Sequence, residues 1–97
     1  MFAALIEADL RIPGVRSLKE KRSVVKSLSS RLRNDLHCSV AEVDHQGSYQ
    51  RAGLGVACAA STASGAERLA EQVDRAVRDE LRVEVITLET RITTAGD

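Results

Sequence analysis

The sequence predicts a small α+β domain in the order β-α-β-β-α-β. Three observations carry this: period-two alternation at both ends of the chain, two segments of helical periodicity each preceded by a cap-like spelling, and a polar turn between two strand-like runs in the middle. The 97 residues leave room for one domain, since domains hold about 50 to 250. A hydrophobic share of 43% with 29% charged residues fits a folded, water-soluble chain rather than a disordered one. We expect a single domain over 1–93 and a frayed tail over 94–97.

From Phe2 to Ile12 the even positions are Phe2, Ala4, Ile6, Ala8, Leu10 and Ile12, while the odd ones turn polar at Glu7, Asp9 and Arg11. That is a strand with one buried face. Pro13-Gly14 breaks it, and Ser17-Leu18-Lys19-Glu20 spells a capping box, in which hydroxyl and carboxylate satisfy orphan N–H groups of a helix starting at Leu18. Leu18, Val24, Val25, Leu28, Leu32 and Leu36 then form one apolar stripe at about 100° per residue. Two strands follow at about 37 to 43 and 52 to 60, joined by a polar loop around Ser48. Ser64-Gly65-Ala66-Glu67 repeats the box spelling ahead of a helix with apolar positions from Ala66 to Leu81, braced by Glu71–Arg75 and Asp74–Arg78 pairs. Val83 to Ile92, rich in Val, Ile and Thr, is the last strand.

Two βαβ halves in this order read as the ferredoxin-like split βαβ fold. Right-handed crossovers put the first and third strands at the centre of a four-stranded antiparallel sheet, both helices on one face. The other face is then open.

Charge is unevenly placed. The formal net charge is zero, yet residues 11–33 hold eight of the fourteen basic side chains and one acid, Glu20. The first helix is the positive end of a dipole. No apolar run reaches the roughly 18 residues of a membrane helix, and no basic residue precedes Arg11, so neither a membrane partner nor a secretory leader is expected. Cys38 and Cys58 lack CxxC spacing and sit in apolar segments. They are expected to be buried, reduced thiols in a cytoplasmic protein.

Ser17-Leu18-Lys19-Glu20-Lys21-Arg22, Ser39-Val40-Ala41-Glu42-Val43-Asp44-His45 and Tyr49-Gln50-Arg51-Ala52, at this spacing, resemble the YlxP-like bacterial family of unknown function. The likeness is close over residues 1 to about 60 and looser beyond. The family tends to carry Asn-Val where this chain has His37-Cys38, and Trp at Tyr49. The resemblance implies a ferredoxin-like fold and a cytosolic protein whose gene lies near those for translation and ribosome maturation factors. It implies no catalytic activity and supplies no active site.

The topology should gather Arg16, Lys19, Lys21, Arg22, Glu42, His45, Tyr49, Gln50 and Arg51 at one end of the sheet, with Arg78 and Arg82 near it. Lys21 falls on the apolar stripe of the first helix, and Glu42 has the parity of the helix-covered face. A partly buried Lys21–Glu42 pair explains both, because charges removed from water are usually paired. No catalytic residue, cofactor or metal site is expected: the sequence has no nucleophile elbow or phosphate loop, and His37 and Cys38 point to opposite sides of a strand.

RNA-binding domains of this topology stack bases on aromatics of the central strands, and here those strands offer acids and small residues. Contact with rRNA should instead run through phosphates on Arg16, Lys19, Arg22, Lys26, Arg33 and Arg51. A ribosomal protein is the other candidate partner of that kind. The open face, carrying Ala3, Leu5, Ala41, Val43, Ala57 and Val85, suggests a second class of function, a homodimer or a protein-docking module without nucleic acid contact. The expectation is a non-enzymatic interaction module.

Overall fold

A computed structural model describes residues 1–95. Its elements are β1 (Phe2–Arg11), α1 (Leu18–Leu36), β2 (Ser39–Asp44), β3 (Arg51–Ala60), α2 (Ala63–Arg78) and β4 (Glu84–Thr94). The sheet order is β2-β3-β1-β4 with all neighbours antiparallel, so the predicted fold and its central strands are as found. Ala4, Ile6, Ala8 and Leu10 of β1, Leu54 and Val56 of β3, Val24, Leu28 and Leu32 of α1, and Val73 and Val77 of α2 close one core between sheet and helices. Each Leu or Ile fully removed from water contributes about 1.5 to 3 kcal/mol, and with almost no rings the core depends on these branched chains.

The ends of the elements differ from the reading in instructive ways. Ser17 accepts the N–H of Glu20 at 3.2 Å, as expected, but the Glu20 carboxylate reaches back to the N–H of Arg16 at 2.8 Å rather than to Ser17. The second helix is capped by Thr62, whose hydroxyl accepts the N–H of Gly65 at 3.0 Å; Ser64 lies inside the first turn. That helix stops at Arg78, leaving Leu81 95% exposed instead of on the apolar stripe. Asp74 pairs with Arg78, whereas Glu71 and Arg75 do not come together. The first helix ends on His37 in the left-handed conformation (φ 55°), so β2 begins at Ser39 and not at residue 37. At the far end β4 runs through Thr94, whose hydroxyl donates to the Met1 carbonyl at 2.8 Å. Gly96 and Asp97 of the expected tail lie outside the described residues.

Two bulges set the shape of the open face. Asp9 pairs with Thr87 but Leu10 pairs with Val85, leaving Ile86 as the extra residue. A bulge shifts parity by one, so Val85 turns onto the core rather than into the open face, contrary to the alternation in the sequence. In β2, Glu42 pairs with Leu54 and Asp44 with Gly53, leaving Val43 unpaired. This extra residue draws Val43 and Asp44 over the sheet. A Cβ on Gly53 would lie 2.7 Å from Asp44 Cβ, and one on Gly55 2.9 Å from Val43 Cγ1. The glycines of β3 therefore make room for the β2 bulge.

The cysteines require a correction. Cys38 and Cys58 are buried as expected, but they are joined in a disulfide, Cα atoms 4.8 Å apart, and are not reduced. Cys38 immediately precedes Ser39, which pairs with Ala57, so the register that follows the helix cap places it opposite Cys58. Disulfides are uncommon in the cytosol, so the cytoplasmic expectation loses the support of reduced thiols. Closing a loop of 20 residues stabilises the fold by about 3 kcal/mol. The Cys38→Ala/Cys58→Ala variant should lose about that much in denaturant unfolding, and the unreduced, unfolded wild type should titrate with no free thiol. Two thiols titrating before any reductant is added would contradict the bond.

Candidate functional site

The end of the sheet nearest Pro13 is assembled from four pieces: the start of α1, the tail of β2, the following loop, and the start of β3. Gly14 (φ 79°) lets the chain leave β1 in a tight turn, and the N–H of Ile12 donates to the Gln50 carbonyl at 2.9 Å. Lys21, at the first turn of α1, is only 2% exposed. Its Nζ lies 2.6 Å from Glu42 Oε2 and donates to the carbonyls of His45 (2.7 Å) and Ser48 (2.6 Å). The Glu42 contact is ionic without hydrogen-bond alignment, and Glu42 Oε2 has no other partner. The pair is present, and it is larger than expected: one ammonium fastens the loop to the helix, with two of its donors on loop carbonyls and its charge against the Glu42 carboxylate.

His45 links this clasp to the open face. Its backbone is left-handed (φ 60°), and the Asp44 carboxylate accepts its N–H at 2.8 Å. Its imidazole lies on the sheet side, Nε2 3.4 Å from Asp9 and 3.8 Å from Asp44. Arg51 Nη2 reaches both oxygens of Asp9, at 2.7 and 2.9 Å, and stands 3.3 Å from His45 Nε2. Sequence reasoning placed Asp9 on the open face without joining it to this cluster. The antiparallel register, with Asp9 beside Gly53 and Arg11 beside Arg51, is the signal that joins them. Tyr49 and Gln50 remain at the exposed edge.

The expected nucleic-acid face divides into two groups. Arg51 is committed to Asp9, and Arg33 donates to the Val40 carbonyl at 2.8 Å, tying α1 to β2. Arg51 is thus neutralised, while Arg33 is oriented by one carbonyl and has no carboxylate within ion-pair distance among the described residues. Arg16, Lys19, Arg22 and Lys26 are exposed, and among the described residues none has a carboxylate within ion-pair distance. Lys19, Arg22 and Lys26 fall within about 60° on one side of α1, along about 10 Å of its length.

Arg82 belongs elsewhere too. Glu80, 7% exposed, accepts from Arg82 Nε (2.8 Å), Nη2 (2.9 Å) and backbone N–H (3.1 Å), with Arg31 3.4 Å away. Arg82 also donates to Ser27 Oγ at 3.0 Å, so the group pins the turn before β4 to the middle of α1, away from the loop. The Arg82 side-chain hydrogen bonds hold the Glu80 carboxyl down at about 2 from an ordinary 4.5, against the opposing effect of burial. An isolated Glu in a turn gave no hint of this in the sequence.

Comparison with known proteins places the chain. Residues 3–90 match the family described as protein of unknown function DUF503. The chain belongs to that family. The uncharacterized protein YlxP of Bacillus subtilis (strain 168) is 33% identical over 67 residues, covering 69% of this chain and 73% of that one. Among solved structures, the structural-genomics protein YJCS superposes with a TM-score of 0.61 at 16% identity, covering 95% and 99% of the two chains. A designed protein with a ferredoxin fold, LFR1 1, reaches 0.62 at 13% identity, covering 100% and 89%. At such identities these two speak for the fold alone.

Among the described residues no helix is long and apolar enough to cross a membrane.

Proposed function

We propose that this domain is a non-catalytic interaction module of the cytosol that grips the backbone of ribosomal RNA through the exposed side of α1. The observation that carries the reading is the set of four cations, Arg16, Lys19, Arg22 and Lys26, left without a carboxylate partner among the described residues while their neighbours Lys21 and Arg31 pair with Glu42 and Glu80 and Arg33 is tied to the Val40 carbonyl. Phosphate oxygens are the partners such a set would take. The sheet supports the same assignment from the other direction: its open face carries Glu7, Asp9, Asp44 and Glu89, which disfavour a polyanion, and the His45 imidazole beside them is engaged with Asp9 and Arg51 rather than offered for a base to stack on. Ribosomal RNA, rather than RNA in general, is chosen because of the resemblance to a family encoded beside ribosome maturation factors.

Four phosphate contacts at about −0.7 to −0.9 each give a slope of about −3 in log affinity against log salt. Sequence preference should be weak, because phosphates carry no base information. A titration of a structured rRNA fragment at several salt concentrations measures both. A slope near zero, or strong preference for one base sequence, would remove the helix from the interaction.

A further inference from the structure

The open face of the sheet holds charges that the single chain leaves unpaired and a floor that it leaves uncovered. Leu5 and Val43 are 43% and 49% exposed. With Ala41, Gly55 and Ala57 they line a shallow concavity of about 640 Å³ whose rim carries Glu7, Glu89 and Arg91. None of these three charges has an opposite charge within ion-pair distance among the described residues. They lie in adjacent rows: Glu7 pairs across with Gly55 and Glu89, and the next row is Leu5 with Ala57 and Arg91.

We infer that this face binds the same face of a second copy, about a two-fold axis that runs across the strands between those two rows. Rotation about that line inverts the row order, so Arg91 of each copy meets Glu89 of the other, with Glu7 one strand away. Leu5, Ala57 and Gly55 fill the layer between. A two-fold along the strands would instead lay Glu7 and Glu89 over Gly55 and the β2 edge and bury them unpaired, at a cost of several kcal/mol. Strands of 10, 6, 10 and 11 residues, about 4.8 Å apart at 3.4 Å per residue, give a footprint of about 600 Å² per copy. That is close to the roughly 800 Å² per partner of a stable interface, and the absence of rings suits sheets packed about 10 Å apart. The inference is independent of RNA binding, because the cations of α1 lie on the opposite layer.

Charge reversal tests the geometry. Wild type should sediment as a dimer at tens of micromolar. Arg91→Glu and Glu89→Arg should each weaken self-association at least tenfold, with unchanged circular dichroism. Mixed together, those two variants should associate with each other, and a chain carrying both changes should again dimerise, since every pair is then complementary. Wild type that stays monomeric, or variants that neither separate alone nor recover when mixed, would overturn the proposal and leave the face to a different protein.

Discussion

Lys21→Met is expected to lower the unfolding free energy by about 3 to 5 kcal/mol, the range for removing one member of a buried ion pair. The substitution keeps the apolar stem and the volume. It leaves the Glu42 carboxylate and the carbonyls of His45 and Ser48 without their donor. Glu42→Gln is milder, about 1 to 2 kcal/mol, because Lys21 keeps both carbonyls and the amide oxygen can still accept. The double variant should resemble Lys21→Met alone: the two carbonyls are still orphaned, so removing the second charge recovers little. Denaturant unfolding of the four proteins closes the cycle. Small, additive effects would show Lys21 to be solvated.

The second large effect belongs to Glu80. Its folded pKa of about 2 lies below the ordinary 4.5, so the stability it contributes is fully present above about 4.5 and is lost as pH falls toward and through 2. A drop of that size corresponds to about 3 kcal/mol. Glu80→Gln should therefore be less stable than wild type by about 2 to 3 kcal/mol at pH 7, and the gap should narrow steadily between pH 5 and pH 2. A gap that does not change with pH would mean that the loss comes from packing and not from the charge held by Arg82.

Where the sequence was readable, the reason is periodicity. Lys21 on an apolar helical stripe and Glu42 with core parity were each anomalous alone, and the topology that alternation implied made them neighbours. Reading failed where periodicity breaks. The Ile86 bulge moved Val85 from the open face to the core, and the Val43 bulge laid Asp44 over Gly53; an extra residue in a strand leaves no trace in its composition. Thr62 and Ser64 are both able caps, and only the chain's path from β3 selects the first. Arg33 and Arg51 were counted as phosphate-binding charge, but a long guanidinium side chain can reach partners on other elements that no local pattern names. The cysteines were read correctly as buried from their apolar segments; whether two sulfurs are bonded is a matter of chemistry that spacing does not encode.

The cations at the start of α1 divide into those paired within the fold and those left to an outside partner. The direct measurement is the affinity of a structured rRNA fragment at low salt for wild type, for Lys19→Glu/Arg22→Glu, and for Leu5→Ser on the far side of the sheet. Wild type and Leu5→Ser should bind alike, and the double charge reversal should bind at least tenfold more weakly. Equal binding by all three, or no binding by wild type, would contradict the assignment and return the helix to a merely solvated surface.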